Sequence, residues 1–152
     1  MKKKLSLVVI MLIILYATQA QLYVGSPESQ QESIVLNPLA QSFSNFIKAV
    51  KPSAFSGAFA KQKSNFLSAA SAIGSPSELG KHISQLCGFL KSTKLKTTFR
   101  KADFMKASLH TATMEGAKGL LKDLESNLKP DAMTDIWKMQ RNSWLAELNG
   151  DN

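Results

Sequence analysis

Residues 74–90 read GSPSELGKHISQLCGFL and contain the clearest local signal in the chain. Ser75 is a favoured N-cap residue, Pro76 suits the first helical position, and Glu78 stands three residues after the cap, as in a capping box. Behind this start, apolar residues recur at steps of three and four: Leu79, Ile83, Leu86, Cys87 and Leu90. This spacing predicts one buried face of an amphipathic α-helix.

Upstream of this stretch, the same spacing predicts two further helices. Asn37 and Pro38 suit the cap and the first position of one helix, and the Lys51-Pro52 pair ends it because a residue before proline avoids the α region. Ser53 suits the cap of the next helix, which we expect to end at the glycine of residue 74.

Downstream, two long segments have helical spacing. The first begins near Thr97 and includes two glycines within residues 115–119, which each cost about 1 kcal/mol in a helix interior. We therefore expect a bend or a break there. The second begins after residues 129–131, which read KPD, and ends at Gly150.

These segments together predict an all-α bundle of five to six short amphipathic helices, which occupies residues 37–150. Strict alternation of apolar and polar residues is absent, so no strand is predicted. We detect no repeat of fixed period. Residues 21–36 are rich in Gln, Ser and Glu and predict a flexible N-terminal segment.

The first twenty residues have the order of a secretory signal peptide. Residues 1–4 read MKKK, residues 5–17 carry no charge and are mostly Leu, Ile, Val or Met, and small residues precede a cleavage point after Ala20. The apolar run is short for a membrane span, which needs about 20 residues. We expect cleavage, a secreted extracellular chain without a transmembrane segment, and a formal charge that falls from +8 to +5.

Few residues in the chain could support catalysis. Cys87 is the only cysteine, and His82 lies five residues away, on a different face of the predicted helix. His110 is the only other histidine. We therefore expect no enzyme, no catalytic residue, no cofactor and no metal site. Cys87 fits the apolar stripe of its helix, and a disulfide dimer through Cys87 is the alternative.

A basic stretch is the clearest candidate for a binding site. Its six cations are Lys91, Lys94, Lys96, Arg100, Lys101 and Lys106. Such a stretch could contact an anionic lipid surface or a sulfated polysaccharide. A secreted chain seldom meets nucleic acid, so nucleic acid is not an expected partner.

Three functional hypotheses remain open at this stage. The leading one is a non-enzymatic binding protein that carries a hydrophobic or lipid-like ligand, or contacts an anionic lipid surface. The second is a protein–protein interaction factor, such as a receptor ligand or effector, with Trp137 and Trp144 as exposed anchors. The third is a precursor of a cationic membrane-active peptide. Charge is uneven, because residues 21–102 carry +7 and residues 103–152 carry −2.

Overall fold

Six α-helices follow one another along the described part of the chain, in a computed structural model that describes the backbone of residues 27–150 and the side chains of residues 36–150. They are α1 (Pro27–Ala49), α2 (Gly57–Ser71), α3 (Pro76–Phe89), α4 (Lys101–Leu109), α5 (Met114–Asn127) and α6 (Asp135–Asn149). The all-α prediction is confirmed for these residues, which form no strand. The signal peptide predicted for residues 1–20 lies outside them.

The N-cap predicted for α3 is present. The Glu78 N–H donates to Ser75 Oγ at 3.2 Å, and the Glu78 carboxylate accepts the N–H of Gly74 at 2.7 Å. In a capping box this carboxylate would accept the N–H of the cap residue Ser75, whereas here it accepts the N–H of the residue before it. Thr113 and Thr134 cap α5 and α6 in the same way, through their side-chain oxygens.

Several helix boundaries differ from the prediction. Helix α2 begins at Gly57 after Ser56, because Ser53 lies in a 3₁₀ turn, and α4 begins at Lys101 instead of near Thr97. Helix α1 begins at Pro27 instead of near Asn37, and it contains Pro38 in its interior. The downstream segment is broken at residues 110–113, before the two glycines. Because Thr113 is the cap and accepts the N–H of Gly116 at 3.0 Å, this glycine lies in the first turn of α5 instead of in a helix interior.

Three linkers of the same design join the helices in pairs. Linker 1 (50–56) joins α1 to α2, linker 2 (90–96) joins α3 to α4, and linker 3 (128–134) joins α5 to α6. Each contains a three-residue 3₁₀ turn: Pro52–Ala54, Ser92–Lys94 and Pro130–Ala132. An apolar residue on each side of the turn forms an isolated antiparallel bridge with another linker.

The three bridges close a ring. They pair Phe55 with Leu90, Leu95 with Leu128, and Val50 with Met133. Each linker therefore contacts the other two, and the chain forms three helix–linker–helix repeats whose linkers all lie at one end. We call this end the linker ring. No fixed period is detected in the sequence because the linkers are unequally spaced, and all three share only Lys at the second position and apolar residues at the first and sixth.

The helices enclose one hydrophobic core within residues 35–150. Equivalent positions of the three repeats meet there, since Phe43, Ile83 and Leu121 each lie seven residues before the bridging residue and are 0% exposed. The predicted stripes are thus the faces that the repeats bury against one another. Among the described helices, none is long and apolar enough to span a membrane.

Candidate functional site

The linker ring gathers an excess of positive charge at one end of the three repeats. Its three linkers contain five lysines, which are Lys51, Lys91, Lys94, Lys96 and Lys129. They contain a single acidic residue, Asp131. Because the bridges hold the three linkers side by side, charges that are far apart in the sequence share one end of the molecule.

Three of these lysines occupy the same position of the repeat, directly after the first bridging residue. Their backbone N–H groups donate to a carbonyl of a neighbouring linker at 2.8–2.9 Å, so the ring fixes the backbone at Lys51, Lys91 and Lys129. The Lys91 side chain is exposed, and the other two are half-buried. Lys129 Nζ also donates to the Thr93 carbonyl at 2.9 Å.

Lys94 breaks the symmetry of the ring. The equivalent residues of the other linkers are Ala54 and Ala132, both 0% exposed. Lys94 Nζ instead donates to Asp131 Oδ2 at 2.6 Å, and this hydrogen bond holds the pKa of Asp131 below its ordinary value. One of the five lysines therefore has its charge compensated within the ring.

The six predicted cations divide between linker 2 and the residues that follow it. Lys91, Lys94 and Lys96 lie in linker 2, whereas Arg100 and Lys106 are exposed outside it. Arg100 is 4.0 Å from Asp103, at an exposed ion pair.

Lys101 has a structural contact. Its Nζ donates to the carbonyls of Leu90 at 2.7 Å and Gly88 at 3.3 Å, at the C-terminal end of α3. A cation at this end compensates the negative end of the helix dipole.

Sequence reasoning did not single out Lys51 and Lys129, the two lysines that linkers 1 and 3 contribute to the ring. The sequence nevertheless contains a common pattern. In all three linkers an apolar residue is followed directly by lysine, and a second apolar residue lies four positions after that lysine. Only the ring of bridges shows that these lysines lie together.

The two tryptophans predicted as exposed anchors lie in the core instead. Trp137 is 3% exposed and Trp144 is 4% exposed. Their rings pack against each other with centroids 5.0 Å apart, and both contact Phe46. The Trp144 indole N–H donates to the Ser42 carbonyl at 3.0 Å. Because packing buries both indole rings, they are not exposed anchors for a protein partner.

Cys87 is also buried, at 0% exposure. Burial raises the pKa of its thiol to about 11, although the positive charge of Lys101 acts in the opposite direction. A disulfide between two copies would require α3 to open first. His82 contacts the Glu78 carbonyl through Nδ1 at 2.8 Å. Within residues 36–150, no three metal-ligating side chains form a group.

Open grooves run between the helices. One groove of about 570 Å³ lies between the exposed sides of α1 and α6. Its walls are both polar and apolar and include Lys48, Ile136 and Glu147. A comparison with known protein families finds no match. No curated protein and no solved structure matches the chain.

Proposed function

We propose that the protein is a secreted, non-enzymatic binding protein whose linker ring contacts an anionic lipid surface. The observation that carries the proposal is the convergence of three linkers with five lysines and one aspartate at one end of the molecule. A group of cations at one end of the repeats suits a surface of repeated negative charges.

The contact would be electrostatic and peripheral. The large hydrophobic side chains that we find exposed among the described residues are Leu109, Ile136 and Met139, and all three lie outside the linkers. A lysine close to an anionic membrane contributes about 1 kcal/mol, and salt screens this attraction over about 8 Å at physiological ionic strength. Contact of two or three of the five ring lysines with the membrane would thus support reversible, salt-sensitive binding.

Carriage of a hydrophobic ligand has weaker support. That hypothesis rested on apolar helix faces with space between them. In the structure these faces pack against one another through aromatic pairs, such as Phe59 of α2 on Phe89 of α3 with centroids 5.1 Å apart. Contact through the linker ring requires no cavity.

Vesicle sedimentation tests the proposal. The secreted chain is mixed with vesicles of phosphatidylcholine alone or with phosphatidylserine, at low and physiological salt. Binding should require the anionic lipid and weaken with salt. The variant Lys51→Glu/Lys91→Glu should bind at least about tenfold more weakly, because it replaces two attractions of about 1 kcal/mol each with repulsions.

The matched control is Lys81→Glu/Lys106→Glu, which makes the same charge change on exposed positions of α3 and α4. It should retain binding within about twofold if the linker ring is the contact surface. If both variants lost vesicle affinity equally, net charge and not the linker ring would explain the binding. Binding of the wild type that is equally strong without phosphatidylserine would refute the proposal.

A protein partner is the second candidate. Ile136 and Met139 are 66% and 85% exposed and lie one turn apart on α6, which is unusual for large apolar residues. This candidate predicts saturable binding to cells that protease treatment of the cells abolishes. Ile136→Gln/Met139→Gln should remove that binding and leave vesicle binding unchanged.

A further inference from the structure

The third repeat contains a buried charge where the other two repeats have apolar side chains. The position three residues before the first bridging residue is Ile47 in repeat 1 and Cys87 in repeat 2, both 0% exposed. In repeat 3 it is Glu125, which is 6% exposed. The fold itself therefore does not require a carboxylate at this position.

Arg141 of α6 holds this carboxylate by two hydrogen bonds. Its Nε donates to Oε1 of Glu125 at 2.5 Å and its Nη2 donates to Oε2 at 3.0 Å. The hydrogen bond from Arg141 to Glu125, with the charge of Glu125, raises the pKa of the guanidinium. The Arg141 side chain is 44% exposed, and no described acceptor contacts its Nη1. The buried Glu125 carboxylate thus holds the Arg141 guanidinium in place, and Nη1 of that guanidinium is left without a hydrogen-bond acceptor among the described residues.

A buried ion pair is poor evidence for a stabilising role, because desolvation offsets most of the attraction and apolar replacements are often equally stable. Departures from the local folding pattern are expected where a function requires them. Glu125 and Arg141 fit that description, since two related repeats do without such a pair.

A groove of about 230 Å³ adjoins the pair. Lys96 from linker 2 and Lys138 from α6 line it together with Arg141, so its three cations exceed the single carboxylate of Glu125. Lys138 also contacts Asp135 at 3.2 Å, but both side chains are mostly exposed and such a pair is easily exchanged. The groove therefore has an excess of positive charge.

The other side chains of the groove are largely apolar. Leu128, Met133 and Trp137 contribute to its walls and are each at most 5% exposed. The buried Trp137 indole N–H has no acceptor among the described residues, so one donor of a lining side chain is unused. The groove thus combines apolar surface with three cationic side chains.

We infer that this groove binds a small organic anion. Its acid group would lie among Lys96, Lys138 and the outer N–H groups of Arg141, and its apolar part would contact Trp137 and Met133. The groove is smaller than the roughly 300–1,000 Å³ of sites for drug-sized ligands, so a single ring or a short chain with one acid group suits it. The inference does not depend on vesicle binding.

Two-dimensional ¹H–¹⁵N spectroscopy tests the inference with phenyl phosphate as the probe. Because Trp137 lines the groove, its indole resonance should shift saturably. The Trp144 indole should shift much less, since its N–H already donates to Ser42 in the core. Lys96→Gln/Lys138→Gln should weaken binding at least tenfold, whereas Lys81→Gln/Lys106→Gln and Lys51→Glu/Lys91→Glu should not.

Further ligands and one further variant separate the parts of the inference. Benzyl alcohol should bind far more weakly than phenyl phosphate if the acid group is recognised, and inorganic phosphate should bind more weakly if the apolar wall contributes. Glu125→Ile, which restores the residue of repeat 1, should remain folded and lose affinity because Arg141 is no longer held. Absence of a saturable shift, equal shifts of both indoles, or unchanged affinity in both groove variants would overturn the inference.

Discussion

Glu125 is a charged residue at a buried position that is apolar in the other two repeats. Its carboxylate is buried in a position where Ile47 and Cys87 show that an apolar side chain fits. The Arg141 pair satisfies the carboxylate, but half of the pair remains near solvent. Local environment, not residue type, decides whether such a pair stabilises the fold.

This contrast yields a stability prediction at the level of single residues. Glu125→Ile should equal or exceed the wild type in free energy of unfolding, because it removes a desolvated charge and adds apolar burial. Arg141→Gln should lose about 1–3 kcal/mol, because the carboxylate stays buried without its charged partner. Urea denaturation followed by circular dichroism measures both. A large loss of stability in Glu125→Ile would show that the ion pair is structural.

At the level of elements, close approach of the backbone fixes how α3 packs against the end of α4. A Cβ added at Gly80 would lie 2.4 Å from the Ser108 carbonyl oxygen and 3.1 Å from Thr111 Cβ. Ser84 of the same helix donates to the Met105 carbonyl at 3.1 Å. Gly80 thus permits a helix contact that a larger residue would prevent.

Two glycine substitutions test this contact. Gly80→Ala should destabilise the protein by about 1–3 kcal/mol, because the clash is with backbone and the helices must separate. Gly119→Ala is the matched control, since nothing lies within 4 Å of its added Cβ. It should stabilise the protein by about 0.5–1 kcal/mol through helix propensity. Thermal melts of both variants give the comparison, and effects of the same sign would contradict it.

At the largest scale, the linker ring joins the three repeats within residues 35–150. The Val50–Met133 bridge joins the first linker to the last, and the Thr134 N–H donates to the Ala49 carbonyl at 2.9 Å. An open array of repeats contacts only its neighbours and can unfold in steps. Here each repeat contacts both others and shares one core, so loss of one repeat exposes the remaining two.

Cooperative unfolding is the expected result. Trp137 and Trp144 lie in repeat 3, and Cys87 lies in repeat 2, where its thiol is buried and has a pKa of about 11. Tryptophan fluorescence, thiol reactivity and circular dichroism should give the same urea midpoint, as a two-state transition requires. A separate midpoint for either local probe, or rapid thiol labelling in the folded state, would show that a repeat opens alone.

The sequence predicted the helices more accurately than the sites. Ser75, Pro76 and Glu78 are adjacent in the chain, so the start of α3 could be recognised from local chemistry. The break before α5 was placed too late because the glycines were more conspicuous than the cap at Thr113. Trp137 and Trp144 were misassigned to the surface because helical spacing identifies a shared face and does not tell what covers it.

The sequence by itself determined the all-α class, the apolar stripe of each helix and the N-cap of α3, because these depend on residues within one or two turns of each other. The tertiary structure decided that three unequally spaced linkers close into a ring, that their lysines share one end, and that Glu125 of α5 meets Arg141 of α6. Those contacts join residues that are distant in the chain, and they form only when the helix faces pack into a common core.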